Sequence, residues 1–253
     1  MISIKSPREI ELMKEAGRVV GLVFKTLEEK IHTGMSTCEI DEIVEKTMLD
    51  NDCIPAEKGY YDYPASACVS LNDTLIHGIP SKKIILHEGD IVSVDIVAKY
   101  KGYMADACRT YKVGTISERT DRLVRVTKEA FFEALKQVYP GSCVGNISSA
   151  IQKYVESHGY NVTRDYTGHG IGSHMHEDPS IPNYGKEGMG AILKPGMTLA
   201  IEPMVLEGRK DTRVLGDGWT VKSKDGKLTC HYENTVIVTE NGYEIITMYE
   251  GEN

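Results

Sequence analysis

What the sequence lacks narrows it first. No uncharged apolar run approaches the ~20 residues of a membrane helix. The N-terminal stretch Met1-Ile2-Ser3-Ile4-Lys5-Ser6-Pro7-Arg8 is charged too early to hold a signal-peptide core. Neither a membrane span nor export is expected. A basic excess is also missing: 29 Lys and Arg face 37 Asp and Glu, giving a net charge of −8. A general nucleic-acid binder would carry a basic stripe, and the pair Lys82-Lys83 reads as solvated surface. No Cys-x-x-Cys occurs among Cys38, Cys53, Cys68, Cys108, Cys143 and Cys230. Six scattered cysteines in 253 residues do not make a disulfide scaffold, so a reducing, cytoplasmic setting is expected. Ordinary shares of hydrophobic (41%) and charged (26%) residues argue against disorder.

What is present reads as mixed α and β. Ser6 and Pro7 open a helix expected over about 7–31, with Ile10, Met13, Gly17, Val20, Phe24, Leu27 and Ile31 at helical spacing. Ser36 and Glu39 stand in capping-box register for a second helix, about 36–49. Residues 53–75 look extended and loop-rich. The β-branched run 91–97 predicts a strand, and a turn near Tyr100-Lys101-Gly102 leads to another that ends near Val113. Helices follow at about 118–138 and 144–158, separated by Pro140-Gly141; the remainder is strands and loops.

Sliding the chain over itself by 107 residues aligns Gly34 with Gly141, Gly89 with Gly196, and Asp95 with Glu202. One constant offset joins a helix start to a strand with a carboxylate at its end. An internal duplication is expected, with halves of about 1–115 and 116–253 sharing one core. Sites near a pseudo-twofold axis draw one residue from each half, so Asp95 and Glu202 become candidates for a shared site.

Asp95 lies inside an apolar strand, where a carboxylate is costly unless paired, protonated or bound to metal. Asp106 follows across the turn. A hairpin centred between Tyr100 and Lys101 would set the two face to face on one side of the sheet. The bland alternative is two aspartates on an exposed face, against which the apolar residues on both sides of 91–97 argue. Glu202 and Glu233 repeat the device about a centre at Asp217-Gly218, a strong hairpin signal. Four carboxylates match the charge of two divalent cations. Oxygen-rich ligation with a histidine suits Mn²⁺, Fe²⁺, Co²⁺ or Zn²⁺.

Histidines concentrate in Gly168-His169-Gly170-Ile171-Gly172-Ser173-His174-Met175-His176, where glycines allow close backbone approach. The glycine spacing is wrong for a nucleotide loop. A mononuclear site built from His174 and His176 stays open as an alternative at this point, and His77 is undecided on chemistry alone.

Ser70-Leu71-Asn72-Asp73 through His77-Gly78-Ile79-Pro80, Val94-Asp95 with Asp106, Gly168-His169-Gly170 with His176-Glu177, Ile201-Glu202-Pro203-Met204, Asp217-Gly218-Trp219-Thr220 and Tyr232-Glu233-Asn234-Thr235 together resemble the type I methionine aminopeptidases. These are dinuclear metal peptidases of the pita-bread fold, and the resemblance covers essentially the whole chain. It implies an α/β (α+β) fold of two pseudo-symmetric halves, a curved antiparallel sheet covered by helices, in a single catalytic domain spanning 1–253. It implies removal of the initiator methionine from nascent chains, with a small second residue preferred. The metal ligands would be Asp95, Asp106, His169, Glu202 and Glu233, with Asp106 and Glu233 bridging two divalent ions (Co, Mn, Fe or Zn). A bridging hydroxide would attack the scissile carbonyl and Glu202 would shuttle the proton. His176 would steady the tetrahedral intermediate and His77 would contact the substrate near the scissile amide. Tyr63, Cys68, Met175 and Trp219 would line an apolar methionine pocket. A monovalent cation (Na⁺ or K⁺) near Asn72, Thr74 and Thr229, nascent N-termini at the ribosome as partners, and a monomer are implied as well. The segment 55–63 departs from the family by being charged and tyrosine-rich, and is expected at the pocket mouth. Met175 stands where an aromatic residue is commoner. Two other readings on the same fold are a proline-directed peptidase and a binding module without catalysis.

Overall fold

Of the four α-helices among the described residues, three start at a serine N-cap, Ser6, Ser36 and Ser117, while the fourth starts at Cys143 with no side-chain cap. At α1 (Pro7–Lys30), Ser6 accepts from the Glu9 N–H at 3.4 Å and Glu9 accepts from the Ser6 N–H at 2.7 Å. Ser36 and Glu39 close the same box at α2 (Thr37–Leu49). A computed structural model describes residues 2–252; positions 1 and 253, the expected domain ends, lie outside the described residues. α3 (Glu118–Leu135) ends short of the expected Val138, because Gln137 and Val138 turn back to bond Ala134 and Leu135. α4 (Val144–Ser157) follows the expectation.

The loop-rich reading of 53–75 missed short strands there: β1 (Ile54–Pro55), β2 (Cys68–Leu71) and the start of β3 (Thr74–Ile76). β4 (Ile91–Tyr100) and β5 (Tyr103–Lys112) form the long hairpin, with β2 and β1 pairing end to end along the other edge of β4. Its turn is centred one residue later than expected. Lys101 and Gly102 both take positive φ, which a two-residue hairpin loop demands and Gly102 satisfies freely. Asp95 therefore opposes Cys108, and Asp106 opposes Val97. The two aspartates are diagonal neighbours on one face rather than a directly opposed pair.

The second half contributes β6 (Asn161–Val162), β7 (Thr167–Gly170), β8 (Glu177–Pro182), β9 (Thr198–Ile201), β10 (Met204–Leu206), β11 (Thr212–Val214), β12 (Val221–Ser223), β13 (Thr229–His231), β14 (Asn234–Thr239) and β15 (Gly242–Ile245). Ile201 pairs with Asn234, Met204 with His231 and Val214 with Val221. One register runs through all three pairings about Asp217-Gly218, as the spacing predicts. It sets Glu202 across from Glu233.

Helices α1 and α2 bury Val20, Phe24, Leu27 and Ile40 against Val94 and Ile96. Leu123, Phe131 and Ile147 of α3 and α4 bury against Leu199 and Val236. Hydrogen bonds recur at the offset of 107 residues: Gly34 to Leu86 and Gly141 to Leu193, Thr37 to Ile84 and Val144 to Ala191. The isolated bridges Ser36–Ile85 and Cys143–Ile192 keep that offset. The two halves are stitched where β5 meets β14. Cys108 and Glu233 exchange backbone bonds of 3.4 and 3.1 Å. Thr235 Oγ1 accepts from the Asp106 N–H at 2.9 Å and donates to the Asp106 carbonyl at 2.8 Å.

Gly17 shows how tightly α1 seats. A Cβ there would lie 2.1 Å from the Ile246 carbonyl oxygen, a backbone atom that cannot step aside. Gly17→Ala should cost about 2–3 kcal/mol despite alanine's better helix propensity. Thermal melting should fall by roughly 5–10 °C in a chain of this size. An unchanged midpoint would show that α1 shifts freely.

Candidate active site

One cavity of about 310 Å³ gathers Asp95, Asp106, His169, Glu202 and Glu233 at its floor. Tyr63, Cys68, His77, Met175, His176 and Trp219 also border it. Strand geometry explains the convergence. Asp95 and Asp106 share one face of the β4–β5 hairpin. Glu233 sits at the β5–β14 seam, and Glu202 follows β9 across from it. His169 enters from β7, whose glycines are needed for closeness: a Cβ on Gly168 would meet the Ala200 carbonyl oxygen at 2.5 Å.

His169 Nε2 stands 3.6 Å from Asp106 Oδ2 and 3.5 Å from Glu202 Oε1. Its Nδ1 is 2.9 Å from the Gly170 carbonyl oxygen, which fixes Nδ1 as the protonated nitrogen and turns Nε2 to the carboxylates. Burial pushes the His169 pKa down to about 3, with His176 adding to the effect. Burial pushes the carboxyls the other way. Asp106, Glu202 and Glu233 all rise well above the usual range, and neighbouring carboxyls raise each further. Asp95 rises to about 7, mainly through burial.

This donor set fits divalent cations. Asp95 Oδ1 and Glu233 Oε1 are enclosed without a hydrogen-bond partner, which a native interior rarely tolerates. No lysine or arginine is among the cavity's lining residues within the described chain. Asp106, His169 and Glu233 bring ligand atoms within 4.8 Å of one another, and so do Asp95, His231 and Glu233. Glu233 belongs to both groups.

Around this floor, Tyr63 and Trp219 meet edge to face at 5.0 Å, and the Tyr63 hydroxyl bonds the Ala67 and Gly78 carbonyls. His77 takes a positive φ of 56°, a strained setting for a non-glycine residue. Its ring lies 6.0 Å from those of Trp219 and Tyr166. Burial lowers its pKa to about 4, keeping the imidazole neutral. His176 is held by the Tyr60 hydroxyl at 2.8 Å, and its ring is 4.4 Å from that of His169. His174, by contrast, is exposed; it lines an outer cavity together with His169 and His176, but no group of three ligand atoms close enough to hold an ion among the described residues includes His174 or His176. Asn72 and Thr229 meet through the Asn72 carbonyl, which accepts from Thr229 N at 2.9 Å and Oγ1 at 3.0 Å. Thr74 lies two residues further along, in β3.

Two residues escaped the sequence reading. Glu57, from the charged segment expected at the mouth, is buried inside the cavity beside Cys68 and Asp95, with Oε2 unpartnered. The pocket is therefore not wholly apolar, contrary to expectation. His231 is buried with Nε2 at 3.6 Å from both Glu202 Oε2 and Glu233 Oε2. Its spacing from Glu233, two residues along an extended segment, was a usable signal. Behind the site, the buried Arg109 guanidinium donates to the Glu233 carbonyl at 2.6 Å and to Asn234 Oδ1 at 2.7 Å, and pairs with Glu252.

Residues 11–240 match the model of metallopeptidase family M24. The chain is 49% identical over 250 residues to the methionine aminopeptidase of Clostridium acetobutylicum, covering 99% of this chain and 100% of that one. It is 47% identical to methionine aminopeptidase 1 of Bacillus subtilis, covering 98% and 99%. The crystal structure of methionine aminopeptidase from Thermotoga maritima superposes with a TM-score of 0.97 at 47% identity, covering 98% of this chain and all of the other. The expected two-halved, helix-covered antiparallel fold is the fold observed. Among the described residues no helix is long and apolar enough to cross a membrane.

Proposed function

The chain belongs to metallopeptidase family M24, and on that premise we propose that it removes the N-terminal methionine of nascent proteins. The observation that carries this reading is the meeting of the carboxyls of Asp95, Asp106, Glu202 and Glu233 with His169 in one cavity, with unpartnered oxygens and no lysine or arginine in its lining. Asp95, Asp106, His169, Glu202 and Glu233 would hold two divalent ions, drawn from Co²⁺, Mn²⁺, Fe²⁺ and Zn²⁺. Four carboxylates balance the charge of the pair. Bound ions supply Lewis acidity toward a peptide carbonyl and make water nucleophilic near neutral pH.

The remaining work falls to the chain's own residues. Tyr63, Cys68, Met175 and Trp219 receive the methionine side chain. Burial holds His77 neutral, so one ring nitrogen donates to the substrate near the scissile bond while the other accepts. His176, oriented by Tyr60, donates a hydrogen bond to the carbonyl oxygen as negative charge develops there. Glu202 carries a proton toward the departing amine. A cramped neighbouring subsite limits the second residue to small side chains. A monovalent cation near Asn72, Thr74 and Thr229, a monomer, action at the ribosome in the cytoplasm, and descent of the two halves from a duplication within a single catalytic domain complete the proposal.

The test is release of free methionine from Met-Ala-Ser and Met-Lys-Ser by protein stripped of metal and reloaded with Co²⁺ or Mn²⁺. Metal-dependent cleavage of Met-Ala-Ser alone is expected. Equal cleavage of both would remove the second-residue rule, and no cleavage of either by folded, loaded protein would overturn the activity.

A further inference from the structure

We propose that His231 is a sixth protein ligand of the metal centre, so that each of the two ions gains one imidazole nitrogen. The inference rests on the dinuclear reading above and adds a residue to it.

The first argument is position. β13 ends at His231, which pairs with Met204, and the chain runs on in extended form to Glu233. Residues two apart on an extended segment point the same way, so the ring shares the face that carries the Glu233 carboxyl. The second is the state of the ring nitrogen. His231 is 1% exposed, and its Nε2 has no hydrogen-bond partner. Buried polar atoms are almost always satisfied, and this one faces carboxylates.

The third is distance. Nε2 lies 3.6 Å from Glu202 Oε2 and 3.6 Å from Glu233 Oε2. That is too long for a hydrogen bond. It is close to the spacing of two atoms that share an ion. Ligands each about 2.1 Å from a metal and about 110° apart are about 3.4 Å from one another. His169, a ligand by the reading above, keeps the same distances from its carboxylates, 3.6 and 3.5 Å.

The fourth is the symmetry of the grouping. Of three groups of side chains placed to hold an ion among the described residues, one is Glu57, Cys68 and Asp95; the two that share Glu233 are Asp106, His169 and Glu233, and Asp95, His231 and Glu233. Each of these two holds one aspartate, one imidazole and the glutamate common to both. Without His231 the Asp95 position would have no imidazole nitrogen beside it. A nitrogen donor there moves its preference away from Mn²⁺ and toward Co²⁺ and Zn²⁺.

The experiment uses the full chain labelled with ¹³C,¹⁵N-histidine and loaded with two equivalents of Co²⁺. Direct ¹³C detection counts the histidine rings whose signals carry large contact shifts, which require a bond to the ion. Two rings are expected, falling to one in His231→Gln. Calorimetric titration should show one of the two Co²⁺ steps weakened about tenfold or more in that variant, with Mn²⁺ affected less. One contact-shifted ring in the unsubstituted protein, lost in His169→Ala, would leave the dinuclear reading standing and overturn the role of His231. No shifted ring at all would overturn both. The count on the unsubstituted protein decides the matter even if His231→Gln fails to fold.

Discussion

Asp106→Ala should leave a folded protein that releases methionine from Met-Ala-Ser at least about 10³-fold more slowly in kcat/KM, a loss of roughly 4 kcal/mol. The carboxyl lies within reach of His169 Nε2 at 3.6 Å, and its chain position ties β5 to β14. Its side chain and its backbone do separate jobs. Thr235 binds the Asp106 N–H and carbonyl, so the seam between the halves survives the substitution. Asp106 is only 6% exposed and its carboxyl lies among others, so its removal also relieves repulsion in metal-free protein. The substitution should therefore lower bound metal below two equivalents without lowering the melting temperature of metal-free protein. Metal content, kcat/KM and melting are read on one preparation. Activity within tenfold of the unsubstituted protein would remove Asp106 from the centre.

Metal-free protein should grow less stable as pH rises from about 6.5 to about 8.5, with melting falling on the order of 10 °C. The sign follows from which state holds the protons. Burial raises the carboxyls of Glu57, Asp106, Glu202 and Glu233 well above their ordinary 4.5 or 3.8, and Asp95 to about 7. Above those ordinary values the folded state keeps protons that the unfolded chain has released, so stability falls with rising pH, by about 1.4 kcal/mol per pH unit for each extra proton held. Below pH 6.5 the buried histidines oppose this. His77, His169 and His231, lowered to about 4, 3 and 3, stay neutral in the fold while unfolded histidine takes up protons. Above 6.5 that opposition ends and the carboxyls act alone. Added Co²⁺ or Mn²⁺ replaces the protons and should flatten or reverse the slope. Glu57→Gln should remove part of the slope without removing a proposed ligand. A metal-free melting curve independent of pH would show that these carboxyls are solvated after all.

Much of the site was legible because strands obey a period of two. The apolar run around Asp95, the turn at 100–102 and the centre at Asp217-Gly218 brought the four carboxyls together on paper. The Asp95–Asp106 register slipped because the demand for positive φ at both loop positions moved the turn by one residue. It cost little, since diagonal neighbours still share a face. Glycine flanks mark the histidines of the loop at 168–176 openly, whereas His231 is marked only by its place two residues before Glu233. Glu57 was beyond local pattern. It follows closely on β1, and the pairing of Pro55 with Ala98 and of the Ala56 N–H with the Val97 carbonyl brings it beside Asp95, a placement set by a strand far along the chain. The apolar pocket assumed from resemblance gave way at that one position.

Both ends of the described chain are tied to the walls of the cavity. Lys5 is buried and reaches Glu177, next to His176, at 2.5 Å, while its backbone bonds Gly196. Glu252 pairs with Arg109, whose guanidinium holds the carbonyl of Glu233. A fusion partner or affinity handle attached close to either end would pull on these links as on a lever. Through them a changed contact at Lys5 or Glu252 would bear on the segment beside His176 or on the backbone of Glu233.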